Sequence, residues 1–169
     1  MKVDLEREFL EHVRQHEALI YKICQVYATD AMTKQDLFQE IVLQLWKSFE
    51  SFRNESKIST WIYRIALNTV LMNKRKSKTT VSLSFFSLLK DERTEEIDDA
   101  PQQENIYILY NAIAKLTEIE KAIVMLYLDD KSYEQMEDIL GVSQGTLRVK
   151  MTRIKVKLRQ LSNVKQHGT

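Results

Sequence analysis

Three glycines and one proline among 169 residues constrain this chain more than any other feature. An all-β fold needs a turn signal roughly every 8–12 residues. Too few turn-making residues are present for that, while 44% of the residues are apolar and can fill a core. The expectation is therefore an all-α protein. Its length suits one medium domain or two small ones. No run of about 18 apolar residues offers a membrane span. The mixed-charge start, Met1 to Glu8, lacks the apolar stretch of a secretory signal. The lone cysteine, Cys24, excludes an internal disulfide framework and a Cys-rich zinc site. These features predict a soluble, cytoplasmic, mostly helical protein.

A net charge of +1 points to no partner, but the average hides segregation along the chain. From Leu147 to Thr169 there are seven basic residues (Arg148, Lys150, Arg153, Lys155, Lys157, Arg159 and Lys165) and no acidic one. Such a stripe fits a polyanion at one place on a neutral protein. It also fits a solvated helix face, and charge alone leaves both readings open.

Helical spacing organises most of the chain. Over residues 6–27, Phe9, Leu10, Val13, Leu19, Ile20, Ile23, Cys24 and Tyr27 recur on one face. Thr33, with Asp36 three residues on, caps a second helix running to about Phe49. Its inward residues are Leu37, Phe38, Ile41, Leu45 and Trp46. Ser51–Ser59 is a polar loop, and Ser59 or Thr60 opens a third helix ending near Lys76. Residues 77–103 are rich in Ser, Thr, Asp and Glu, contain Pro101, and form a linker. Inside it the apolar patch Leu83–Leu89 is expected to dock on a domain or a partner. A new stripe follows: Ile106, Leu109, Tyr110, Ile113 and Leu116. Thr117 to Glu120 and Ser132 to Gln135 both have the capping-box pattern, opening helices that end near Leu128 and Leu140. Gly141 fits the left-handed position after such a helix. Ser143 caps the last helix, which extends into the 160s. A short helix, a tight turn and a longer basic helix make a helix-turn-helix.

On a helical wheel, Leu147, Met151, Ile154, Leu158 and Leu161 occupy an arc about 80° wide, which must face the core. The opposite side carries Arg148, Val149, Thr152, Arg153, Val156, Arg159 and Gln160, with Lys150, Lys155 and Lys157 on its flanks. Arg can pair with guanine, Val and Thr can touch thymine methyls, and Lys can hold phosphates, so this face suits a major groove. In the third helix, Arg64, Asn68 and Arg75 form a polar stripe within about 40°. It can serve bases and phosphates or simply water. His12 and His16 stand at i, i+4, a spacing that can bind a metal. No third ligand accompanies them, so solvated histidines are expected and no metal site is assigned. Cys24 lies on the apolar stripe and is expected in the core.

Together these residues resemble the small bacterial RNA polymerase sigma factors of the extracytoplasmic-function type. The first match runs from Asp36 to Lys47 (DLFQEIVLQLWK), through Phe52–Ser56, to Thr60–Asn68 (TWIYRIALN), and is similar to the family's second conserved region. The second is Ser132-Tyr133-Glu134, then Ile139–Ser143 and Gly145–Arg148, similar to its fourth region. The resemblance implies two small helical domains, over residues 1–78 and 104–169, joined by an acidic linker over 79–103. It implies a non-catalytic factor with no cofactor and no small-molecule substrate. Its partners would be core RNA polymerase (the β′ clamp helices and the β flap), promoter DNA and an inhibitory anti-sigma protein, commonly membrane-bound.

By position, Asp36, Gln39 and Glu40 match the polymerase-docking face, whose acidity suits a basic coiled coil. Phe52, Arg53, Asn54, Ser56 and Lys57 match the loop that captures a flipped base of the minus-ten element, and Trp61, Arg64, Asn68 and Arg75 the helix beside that strand. The wheel puts Trp61 beside Ile65 and Met72, which favours core packing over base stacking. Ser143, Thr146, Arg148, Val149, Lys150, Thr152, Arg153 and Lys157 match the part that reads the minus-thirty-five element. Glu137 departs from the family's usual alanine and has to point outward or find a partner. Val149 replaces a small polar residue, and the linker matches nothing. The alternative is a helix-turn-helix regulator that acts without polymerase, binding a palindromic operator tightly as a dimer. The Asp36–Asn68 block argues against it.

Overall fold

Four helices in this chain begin at a capping hydroxyl, Thr33, Thr117, Ser132 and Ser143, whereas the helix expected to open at Ser59 or Thr60 starts at Ile58. The computed structural model describes residues 2–29, 32–76, 108–109 and 111–163, without the side chains of Lys2, Lys74, Arg75 and Lys76. The expected linker with its Leu83–Leu89 patch, Ile106, Tyr110, Lys165 and the side chain of Arg75 lie outside the described residues. Every regular element among those described is a helix, in agreement with the all-α expectation. They form two compact units, N-terminal and C-terminal.

In the N-terminal unit, α1 spans Lys2–Gln15, α2 Glu17–Tyr27, α3 Lys34–Phe49 and α4 Ile58–Lys76. Periodicity predicts one continuous helix over 6–27. The chain instead breaks at His16, with φ −115° and ψ 17°. There the His16 N–H is shared between the carbonyls of His12 and Val13, both at 3.2 Å. The His16 Nδ1–H also donates to the His12 carbonyl at 2.9 Å. One irregular residue leaves the apolar phase intact: Phe9 before it and Ile20, Ile23, Cys24 and Tyr27 after it are all buried. Leu10 is a correction to the stripe. It is 54% exposed, because it stands about 100° around the helix from Phe9.

Helix α3 packs against both α2 and α4. Thr33 is the expected N-cap, and with Asp36 it completes a capping box: the Asp36 N–H donates to Thr33 Oγ1 at 3.2 Å, and the Thr33 N–H donates to Asp36 Oδ2 at 3.2 Å. Leu37, Ile41, Leu45 and Phe49, four residues apart, are buried. Phe38 and Trp46, also expected inward, are half-buried at the edges. Phe38 stacks on Tyr21 at 4.7 Å, and Trp46 meets Phe9 edge-on at 4.9 Å. Helix α4 buries Trp61, Ile62, Tyr63, Ala66, Leu67 and Val70, as expected of a helix wedged among neighbours.

In the C-terminal unit, α5 spans Glu118–Leu128, α6 Tyr133–Leu140 and α7 Gln144–Asn163, preceded by helical residues 111–114. Both expected capping boxes are present, Thr117 with Glu120 and Ser132 with Gln135. Gly141 takes φ 67°, and its N–H donates to the Glu137 carbonyl at 2.8 Å. A side chain there would be strained by its own backbone. Ser143 Oγ accepts the Thr146 N–H at 3.3 Å, which starts α7. Helix α5 packs on α7, and Ile123, Leu126, Met136, Ile139, Leu147, Met151 and Ile154 are buried. Leu109, expected on the inner stripe, is 38% exposed.

Lys121 has no counterpart in the sequence pattern. It is 1% exposed, with its Nζ 3.4 Å from Glu118 Oε1. Burial pulls its pKa down, and Glu118 offsets part of that.

Candidate nucleic-acid interfaces

The N-terminal unit makes a hollow where α3 gives way to α4. After Phe49 the chain turns, with the Ser51 and Phe52 N–H groups donating to the carbonyls of Ser48 and Phe49 at 3.2 and 3.0 Å. Asn54 adopts φ 56°, the left-handed region that Asn tolerates better than most residues. The loop brings Phe52 against Trp61, their rings 4.9 Å apart, and the Phe49 ring lies 6.1 Å from Trp61. The resulting cavity has a volume of about 350 Å³ and is lined by Phe52, Arg53, Glu55, Ser56, Trp61 and Arg64, with Ser51 at its edge. Lys57 is exposed next to this loop. An aromatic wall with nearby cations suits a planar base on an anionic backbone. Trp61 itself is 8% exposed. It forms the wall by packing, as its place on the wheel predicts.

Asn68 does not join that cavity. It is exposed and lines a separate groove of about 240 Å³ between α3 and α4, with Glu40, Gln44, Ile65, Met72 and Asn73. The structure thus groups Asn68 with Glu40, which the resemblance assigns to different partners. The Glu40 carboxylate accepts the Gln44 side-chain N–H at 2.8 Å. Asp36 Oδ2 accepts the Thr33 hydroxyl at 2.8 Å, so this carboxylate is committed to the helix cap. Gln39 is exposed.

The C-terminal unit makes a ridge. Arg148, Val149, Thr152, Arg153, Val156, Arg159 and Gln160 are all exposed along α7, while Leu147, Met151 and Ile154 are buried beneath. Val149 is 50% exposed, so an apolar contact is available there. Ser143 and Thr146 are exposed at the N-terminal end, their hydroxyls 2.9 Å apart. The Thr152 hydroxyl donates to the Arg148 carbonyl at 3.0 Å.

The flanking cations are held in different ways. Lys150 is half-buried. Lys157, expected to reach DNA, donates in the free chain to Glu120 Oε2 at 2.9 Å and ties α7 to α5. Burial alone would raise the Glu120 pKa, but the Thr117 backbone N–H and Lys157 outweigh it and hold it below 4.5. Lys155 sits 4.8 Å over the Tyr127 ring, and Arg148 4.9 Å over the Tyr133 ring. No sequence pattern flagged the pairing of Tyr127, Tyr133 or Glu120 with these cations, because each pairing joins residues from different helices. Glu137 is half-buried.

The remaining titratable candidates are structural. The His12 ring packs edge-on against Phe49 at 5.9 Å. Among the described residues no three His, Cys, Asp or Glu side chains cluster as a metal site would require. Burial pushes the Cys24 pKa up to about 12, so it is a core thiol. Among the described residues no helix is long and apolar enough to cross a membrane.

Comparison with known proteins matches both units. The family model for Sigma-70 region 2 matches residues 12–80, and that for Sigma-70 region 4 matches residues 106–158. The ECF RNA polymerase sigma factor SigW of Bacillus subtilis is 25% identical, over 90% of this chain and 87% of its own length. The ECF RNA polymerase sigma-E factor of Haemophilus influenzae is 32% identical, over 70% of this chain and 68% of its own. Two solved structures share the fold, each with a TM-score of 0.64. One is CnrH in complex with the cytosolic domain of CnrY, at 17% identity, covering 94% of this chain and 90% of that one. The other is the sigma factor RpoE in complex with the anti-sigma factor NepR from Bartonella quintana, at 20% identity, covering 95% of this chain and 98% of that one. With the hollow inside one Sigma-70 region, the ridge inside the other, and a sigma-E factor at 32% identity across both, the chain belongs to the ECF RNA polymerase sigma factors.

Proposed function

We propose that this chain binds core RNA polymerase and directs promoter-specific transcription initiation, acting in the bacterial cytoplasm as a specificity subunit and not as a catalyst. Residues 1–78 dock on polymerase and hold the melted minus-ten strand. Residues 104–169 grip the minus-thirty-five duplex, and residues 79–103 connect them. The single observation that carries this reading is α7. On its apolar side Leu147, Met151 and Ile154 are buried and Leu158 and Leu161 half-buried, while its outer side is a run of Arg, Val, Thr and Gln, the residue types that read base edges in a major groove.

The hollow supports the other half of the reading. Phe52 and Trp61 line it together with Arg53 and Arg64, so a base taken out of the stack would find aromatic surface and its phosphates two nearby cations. Gln39 and Glu40 on α3 face polymerase, Asp36 supporting them by capping the helix. Two modest contacts linked on one chain give an avidity that neither has alone, so the free factor binds DNA weakly. An anti-sigma protein, the kind of partner that RpoE of Bartonella quintana holds in its solved complex, is the expected inhibitor.

Gel filtration of the chain with core RNA polymerase tests this directly. The wild type co-elutes at one-to-one stoichiometry. Q39K/E40K, which places cations against a basic partner, loses co-elution while keeping the wild-type circular dichroism. Failure of the wild type to co-elute, with tight binding of free protein to duplex DNA, would establish the polymerase-independent regulator instead.

A further inference from the structure

The cations of α7 are held in three different ways. Lys157 is taken by a carboxylate, Glu120, at 2.9 Å. Arg153 and Arg159 are exposed on the outer face. Arg148 is also exposed, yet its guanidinium carbon stands 4.9 Å over the centroid of the Tyr133 ring. The distinction has chemical consequences. A carboxylate occupies the N–H donors of the cation it holds, and those donors are what a guanine edge needs. An aromatic ring attracts the cation through its π face and accepts none of those N–H bonds. Arg148 is therefore restrained without being used up.

The restraint rests on a fixed base. Tyr133 is the first residue of α6 and is half-buried. The residue before it, Ser132, is locked by both halves of its capping box: the Gln135 N–H donates to Ser132 Oγ at 3.2 Å and the Ser132 N–H donates to Gln135 Oε1 at 2.9 Å. Met136, fully buried, then anchors α6. Arg148 lies in the first turns of α7, the part of a helix-turn-helix recognition helix that meets base edges. A long arginine side chain carries much rotamer freedom, which must be given up on binding.

We propose that Tyr133 is a positioning residue for Arg148: its ring holds the guanidinium poised for a base edge, so the first helix of the motif sets the selectivity of the second. This rests on α7 being the DNA-reading helix. Tyr133 contributes selectivity at the base pairs that Arg148 reads and leaves the rest of the site unaffected.

The test uses holoenzyme reconstituted from core RNA polymerase and full-length chain, selected on a pool of promoter duplexes with a randomised upstream element. Wild type, Y133F, Y133L, R148A and R153A are compared by sequencing the bound fraction. R148A flattens the preference at one or two positions. Y133L lowers discrimination at those same positions by about two- to fivefold, the range expected for an exposed cation–π contact. Y133F, which keeps the ring, retains it. In the free chain, the Arg148 Hδ protons show an upfield ring-current shift in wild type and Y133F that disappears in Y133L. The wild-type shift tests the contact even where Y133L folds poorly, and its absence would overturn the proposal. So would unchanged discrimination in Y133L beside a flattened R148A. A uniform loss of affinity in Y133F would do the same, assigning the hydroxyl to a phosphate. If neither R148A nor R153A alters any position, it is the reading of α7 that fails, and the pairing with Tyr133 becomes a matter of fold alone.

Discussion

The N-terminal unit offers a hollow, walled by a loop that brings Phe52 against Trp61, and the C-terminal unit a ridge, one face of a 20-residue helix. The two shapes demand different chemistry. A hollow must bend its backbone out of regular structure, and it does so at Asn54 with φ 56°. It also needs aromatic area inside. A ridge needs only regular helix and a sealed underside, and its outer apolar residues are small, Val149 and Val156. Concave sites suit a single base removed from its stack, and a convex helix suits the groove of an intact duplex. On the proposed function, one short chain carries a reader for each state of the same DNA.

The sharpest way to break the contrast is to remove the wall of the hollow. Trp61→Ala should destabilise the N-terminal unit by about 3–5 kcal/mol, since the ring is buried against Phe49 and Phe52. Denaturant melts measure this. A change below about 1 kcal/mol would mean the ring carries no packing, and the hollow would need another explanation.

Next is the ridge. Arg153→Ala should weaken holoenzyme binding to promoter DNA by about 1–3 kcal/mol and relax upstream selectivity. Lys157→Ala should cost DNA binding less, because Lys157 is already paired with Glu120. Its effect should appear in stability. Equal losses of binding in the two variants would erase the difference between the outer face and its flank.

The Glu120–Lys157 pair also gives the ridge an acid sensitivity. The folded-state pKa of Glu120 lies below the ordinary 4.5. Its contribution to stability is thus fully present above 4.5 and is lost as pH falls through the folded value. The wild-type chain should lose stability in its C-terminal unit over that window more steeply than E120Q. Parallel pH profiles would show that the pair contributes nothing.

The smallest effects come from the left-handed non-glycine positions among the described residues, one in each unit: Asn54 and Asp130, with φ 56° and 54°. Asp130 follows α5, where the Lys131 N–H donates to the Leu126 carbonyl at 3.0 Å, as in a glycine-type helix stop. Asp130→Gly should stabilise by a few tenths to about 1 kcal/mol. Asn54→Gly should preserve the loop's shape equally well. Loss of minus-ten selectivity in that variant would show that the Asn side chain, and not just its backbone, acts in the hollow.

How legible this was in the sequence depended on the range of each interaction. Thr33, Thr117, Ser132 and Gly141 were readable because caps act over three or four residues. The two sides of α7 were readable because burial follows a fixed period. The break at His16 was not, since the apolar phase runs through it undisturbed. Lys121 was not, since the residue type argues for exposure and only the packing around it buries it. The loop site was visible through family likeness, yet its division into two places, Arg64 in the hollow and Asn68 in the groove with Glu40, depends on how α3 and α4 cross. The pairing of Lys157 with Glu120 was not legible, since the two stand 37 residues apart on different helices.

Cys24 has a use that its burial creates. It is the chain's one cysteine, fully enclosed, with a thiol held protonated well above neutral pH. A thiol-specific reagent reaches it only when the N-terminal unit opens. Its labelling rate is therefore a clock for that opening, free of background from any other site. Timed with and without polymerase, the same clock reports how much the enzyme steadies the factor it has recruited.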